Sequence, residues 1–273
     1  QNADQVAKAK ADIEKYASPA TTWDGPTTGP KIETGKTIVV LAGDLKNGGI
    51  LGVTNGVEEA AKAASWTVKV LDGAGSVQGR AAAFGQALAL KPDGIVINGF
   101  DAVEQQAALD EACNAKIPMV SWHVGTGIGA DAQACIFANV TTDPMEVSKV
   151  AAEWAYLDAD QKPGVVIFTD STYKIAVAKA DEMKKTIEDL GGTVLEYVDT
   201  PIADTSNRMP TLTTALLQRY GDAWTHSLAI NDIYFDFMGP SLASAGIAGD
   251  ANPKSVAAGD GSESAYQRIR SAQ

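Results

Sequence analysis

The chain has 273 residues, 45% hydrophobic and 21% charged, which is the profile of a folded protein long enough for two domains. Its formal net charge of −12 argues against a nucleic-acid surface, which needs clustered Lys and Arg, and is no better suited to anionic lipid. No apolar run approaches the ~20 residues of a membrane span.

Gln1 to Tyr16 reads as a polar, Ala-rich helix rather than the apolar core of a signal peptide. A processed secreted protein would begin this way, and so would a cytoplasmic one. Ser18 to Lys36 is rich in Thr, Pro and Gly and reads as an extended tether. A strict alternation then begins. Thr37–Ala42 is short, apolar and β-branched, a buried strand, and a helix follows over Ile50–Ala64. Next come a strand at Thr67–Leu71, a helix at Arg80–Leu90, a strand at Gly94–Ile97, a helix at Glu104–Ala115 and a strand at Met119–Trp122.

The rhythm restarts after Asn139. Pro144 suits the first turn of a helix running to Asp158, because its missing N–H costs nothing there. Strand Val165–Thr169 leads to a helix over Ile175–Leu190, ended by Gly191-Gly192. Strand Thr193–Val198, helix Met209–Tyr220, strand Trp224–Ile230, helix Phe235–Ala245, strand Ser255–Ala258 and helix Ser262–Ser271 follow. Such alternation predicts an α/β fold of two doubly wound parallel-sheet lobes joined by a hinge. The expected domains are a helix and tether at 1–36, a first lobe at 37–138 and a second at 139–273.

Doubly wound sheets bind ligands beyond the carboxyl ends of their strands, so functional residues should follow each apolar run. In the first lobe those positions hold Asp44, Asn47, Asn98, Phe100, Asp101, Trp122 and His123. In the second they hold Asp170, Tyr173, Asn231 and Asp260. Carboxylates and amides bond vicinal hydroxyls in pairs, and aromatic faces cover the C–H surface of a ring, so the set suits a small sugar or polyol. Asp and Asn after a strand also have an ordinary explanation as turn formers and helix caps.

Catalytic patterns are missing. There is no Gly-x-Ser-x-Gly elbow, and His123 and His226 stand far apart without metal-ligand spacing. Gly35-Lys36-Thr37 imitates the end of a phosphate-binding loop, but Pro30 occupies the place of the required earlier glycine. Gly43 to Gly49 lacks dinucleotide-binding spacing. The residues therefore suggest neither a cofactor nor a metal, and no enzyme. Cys113 and Cys135 are the only cysteines, and their count is compatible with two small buried hydrophobes or with one structural disulfide.

The run Ile38–Ala42 with Asp44 and Asn47, then Pro92–Asn98 and Ala115–Ser121, resembles the first lobe of type I periplasmic binding proteins of the ribose-binding family. Leu228–Asp232 and Ala257–Gly261 resemble that family's second-lobe segments bearing a ligand-binding Asn and Asp. The resemblance implies a solute-binding component of an ABC importer, a monomer in the periplasm. It would close two lobes on a sugar and present it to a permease. It assigns Asn231 and Asp260 to ligand hydroxyls, sets His123 where relatives carry an Asp, and sets Lys179 where they carry an Arg. Hinge segments are expected at Ala138–Thr141 and Asn231–Asp232. The loop Leu45–Ile50 has none of the usual aromatic residues, leaving Trp122, Tyr173 or Phe100 to substitute. Family members continue past the Asp-Gly segment, so the C-terminal part is expected to be missing and the chain a fragment. The effector domain of a lactose-repressor-type regulator shares this fold and is the alternative.

Overall fold

The computed structural model describes residues 2–272. A first helix, α1 (Asn2–Ala17), is followed by the segment 18–36 and then by an α/β series. That series runs β1 (Thr37–Ala42), α2 (Gly48–Ala63), β2 (Thr67–Asp72), α3 (Val77–Ala89), β3 (Gly94–Asn98), α4 (Gln106–Asn114) and β4 (Met119–Trp122). Two strands end it, β5 (Gly129–Asp131) and β6 (Ile136–Val140). They form one sheet in the order β2-β1-β3-β4-β6-β5, parallel except for β5.

The second series is α5 (Pro144–Asp158), β7 (Gly164–Thr169), α6 (Lys174–Asp189), β8 (Thr193–Asp199), α7 (Thr205–Tyr220), β9 (His226–Ala229), α8 (Ile233–Ser244), β10 (Lys254–Ala257) and α9 (Glu263–Ser271). Its sheet is wholly parallel, in the order β10-β9-β7-β8. Strands buried on both faces need no polar alternation, which is why β1 and β7 read as continuous apolar runs.

Helix ends follow their caps. α2 starts at Gly48, two residues before the expected Ile50, because Asn47 Oδ1 accepts hydrogen bonds from the amides of Gly49 and Ile50. α7 starts at Thr205 rather than Met209 and carries Pro210 inside it. The three exposed residues of β5 have no apolar pattern and gave no sequence signal. Cys113, at the end of α4, is bridged to Cys135 just before β6, with Cα atoms 5.8 Å apart, inside the range a disulfide spans.

The crossing between the sheets lies at Thr141–Asp143, between β6 and α5, where Asp143 Oδ1 caps α5. The expected second hinge at Asn231–Asp232 is not one: these residues join β9 to α8 within the second lobe. Their side is fixed by the packing of α8 on α7. α1 lies on α5, with Ala9 fully buried and ion-pair and hydrogen-bond contacts from Asp12 to Lys149 and from Tyr16 to Glu146. Segment 18–36 thus runs from the second lobe's surface to the first strand of the first lobe. No described helix is long and apolar enough to cross a membrane.

Candidate functional site

The carboxyl ends of both sheets face one cleft. From the first lobe Asp44, Asn47, Trp122 and His123 line it; from the second, Tyr173, Lys179, Asn231 and Asp260 do. The lobes are closed on each other there. His123 Nε2 stands 3.2 Å from Asp260 Oδ1, and Arg80 Nη1 donates to the Tyr173 hydroxyl at 3.1 Å. Two glycines make the approach possible. A Cβ on Gly48 would lie 2.8 Å from Ser262 Cβ, and one on Gly75 would lie 2.8 Å from Ala203 Cβ. The space left between these walls is ≈ 50 Å³, against the ~300–1,000 Å³ of small-molecule pockets, so the lobes must part to admit a ligand. Beside it, a recess of ≈ 580 Å³ opens along Gly48, Thr141 and Glu263, and Trp122, His123 and Asp260 face it as well.

His123 follows β4 in the left-handed region, φ 52°, and its ring stacks on Trp122 with centroids 3.9 Å apart and planes 7° from parallel. Burial, then the charge of Lys179, push its pKa down to about 3, so it meets Asp260 as neutral imidazole. Burial drives Asp260 up to about 6, with Lys179 opposing and Asp232 reinforcing the rise. Asp232, beside it, is also raised by burial. Lys179 extends from α6 under the cleft floor and donates to the Ala258 carbonyl at 2.9 Å. Burial lowers its pKa against the pull of Asp260 and Asp232. Asp260 does not cap α9; Ser262 does, accepting from the Ala265 amide at 3.1 Å.

Asp44 is buried after β1. Its Oδ1 accepts from the Lys46 amide at 3.0 Å, and its Oδ2 has no protein partner. Burial is the main cause of its raised pKa. Asn47 and Asn231 line the cleft while each uses Oδ1 within its own turn, Asn47 as the α2 cap and Asn231 toward the Ile233 amide at 3.2 Å.

Other expected residues are committed elsewhere. Asp170 accepts from Thr172 through Oδ1 and from the Ile202 amide through Oδ2, so it organises its own loop and does not line the cleft. Asp101 caps the turn at Val103 and pairs with Lys174 of the second lobe at 3.6 Å. Phe100 is buried outside the cleft, and Asn98 braces β3 to α2 through the Ile50 carbonyl and Thr54. His226 begins β9, away from the cleft end of its sheet, and sits 3.0 Å from Asp158. Arg80 and Glu104 were not among the expected site residues. Yet Arg80 occupies the buried stripe Arg80, Ala83, Phe84, Ala87 of α3, and a charge on such a stripe demands a partner.

Two parallel-sheet lobes with a polar cleft at their strand ends define the class of two-lobed solute-binding proteins. Residues 38–273 match the family described as "Periplasmic binding protein domain", and the chain belongs to that family. No curated protein matches it. Among solved structures, it is similar to a periplasmic sugar-binding protein of an ABC sugar transporter from Legionella pneumophila. The two are 13% identical with TM-score 0.72, over 87% of this chain and 86% of that one. It is also similar to a periplasmic solute-binding protein from Actinobacillus succinogenes with bound D-allose, at 19% identity and TM-score 0.70, over 86% and 82% of the two chains. A third match is a solute-binding protein from Agrobacterium vitis with bound allitol, at 21% identity and TM-score 0.68, over 78% and 73%. At these identities the likeness is one of fold.

Proposed function

We propose that this chain is the solute-binding component of an ABC import system, taking one small sugar or polyol between its lobes and presenting it to a permease. The observation that carries the reading is the cleft itself. Asp260 and Asn231 meet His123 and Trp122 from the opposite lobe, so a ligand bonding both walls would favour the closed form. Family membership and the bound allose and allitol of fold relatives support the same class. The protein works as a periplasmic monomer without catalysis, with 37–138 and 139–273 as its two lobes and 1–36 as an added arm. Asp44, Asn47, Tyr173 and Lys179 belong to the ligand site on this reading.

A thermal-shift screen of pentoses, hexoses and polyols tests it. A ligand present at 100 times its Kd adds about 2.7 kcal/mol of stability, which a melting curve reads easily. Stabilisation by at least one neutral polyhydroxylated compound, recovered unchanged, is expected. Stabilisation by nucleotides alone, or turnover of the compound, overturns it.

A further inference from the structure

We propose that Arg80 and Glu104 of the first lobe form a latch that receives Tyr173 of the second, so that the lobes associate before any ligand arrives. Arg80 is fully buried. Its Nε and Nη2 donate to Glu104 Oε1 and Oε2 at 2.6 and 2.9 Å, a two-pronged pair that fixes the guanidinium plane. The remaining nitrogen, Nη1, reaches across the cleft to the Tyr173 hydroxyl, and the Tyr173 ring lies 4.7 Å from the guanidinium carbon. Lys174, the next residue, pairs with Asp101 of the first lobe, and Gly75 leaves room for Ala203 beside it.

The latch sits apart from the crossing. Arg80 lies on the helix after β2, at one edge of the first sheet, whereas the crossing follows β6 near the other edge. Closing therefore brings Tyr173 onto a preformed receptor at the far lip. Tyr173 thus acts as a closing contact, and Arg80 and Glu104 are positioning residues. When the lobes part, the Arg80–Glu104 pair stays whole within the first lobe and water replaces the phenol. This makes the contact reversible. All of its partners are protein groups, so it needs no solute.

The test is small-angle scattering of the unliganded full chain, wild type against Tyr173→Phe and Tyr173→Ala, with melting curves alongside. Tyr173→Phe keeps the ring and removes one hydrogen bond to a charged group, shifting the closed-to-open ratio about ten- to a hundredfold toward open. The expected result is a radius of gyration matching the closed form for wild type and a larger one for both variants. Arg80 and Glu104 keep each other in both, so the first lobe remains folded. An unliganded wild type as expanded as Tyr173→Ala overturns the proposal, as does a Tyr173→Ala that stays closed. No solute enters the measurement, so a failed sugar screen leaves the result standing.

Discussion

The two ends of the cleft close by different chemistry. Near the crossing, His123 and Asp260 face each other as a neutral imidazole and an acid whose pKa is close to 6, beside an open recess. At the far lip, Arg80 and Glu104 are a fully formed charge pair that holds Tyr173 out of water. The first end has polar capacity to spare and is sensitive to what enters; the second is satisfied by protein groups. On the proposed reading the first end meets the ligand and the second closes without one, and because the closed form is the one that binds, loosening either end should lower affinity.

The largest expected effect is at the recognition end. A carboxylate accepting two hydroxyls makes charge-assisted bonds of about 1.5–3 kcal/mol each, so Asp260→Ala should weaken ligand binding by about two to four decades. Since Ser262 rather than Asp260 caps α9, the variant should keep its helix. Calorimetric titration checks this, and unchanged affinity would move recognition away from Asp260.

The disulfide probes neither end directly. Cys113–Cys135 closes a loop with a sequence separation of 22 residues, for which loop entropy gives about 3 kcal/mol. Thiol counting in denaturant should find no free thiol. Cys113→Ser with Cys135→Ser should lower the stability of the first lobe by about that amount. Ligand affinity, measured well below the new melting point, should hold, because neither cysteine lines the cleft.

Gly48 sharpens the comparison from the steric side. Gly48→Leu sets a side chain against Ser262 across the cleft, and overpacking of this kind costs about 1–3 kcal/mol. That energy falls on the closed form alone, so affinity should drop roughly five- to a hundredfold. Because the unliganded lobes also close, melting of the unliganded protein should fall by no more than the free energy of closing, and scattering should show it more open. A lowered melting point with unchanged scattering would mean that the residue matters for α2 rather than for closure.

Much of this was legible in the chain. Strands buried on both faces leave apolar runs, and the strand-end rule puts His123, Asn231 and Asp260 among many positions facing the cleft, with the family resemblance pointing to Asn231 and Asp260 in particular. The same rule also gathered Asp170 and Asp101, because a turn former and a cleft residue follow a strand with equal ease; Asn47 and Asn231 bond within their turns too, and only their place in the cleft separates the two groups. Arg80 was written in the spacing of α3, yet its partners Glu104 and Tyr173 lie 24 and 93 residues away, a distance no local pattern spans. The docking of α1 was hidden for the opposite reason. It is held by a thin stripe, Val6, Ala9 and Ile13, and by the Asp12–Lys149 ion pair on α5, too few apolar residues to announce a docked helix.

The smallest effect is the pH dependence, and its sign distinguishes the roles open to Asp260. Burial holds His123 near 3 and Asp260 near 6, so of this facing pair it is Asp260 that titrates near pH 6, with Lys179 and Asp232 as the charges acting on it. In the unliganded protein its pKa lies above the 3.8 of an ordinary Asp. Its stabilising share is therefore present below pH 4 and lost as pH rises through 6. Ligand hydroxyls that donate to the carboxylate favour its charged form, which lowers the pKa and expels a proton on binding. Affinity should then level off above pH 6 and fall by up to about tenfold per unit below it. Stability and affinity thus move in opposite directions across pH 4–6. Both should flatten in Asp260→Asn, which keeps the shape and removes the titration, so the wild-type-minus-variant difference isolates this group from the other carboxylates. Titrations in buffers of different ionisation enthalpy count the proton directly. Affinity that rises as pH falls through 6 would mean that Asp260 donates to the ligand as an acid, and the recognition end would then select acceptors rather than hydroxyl donors.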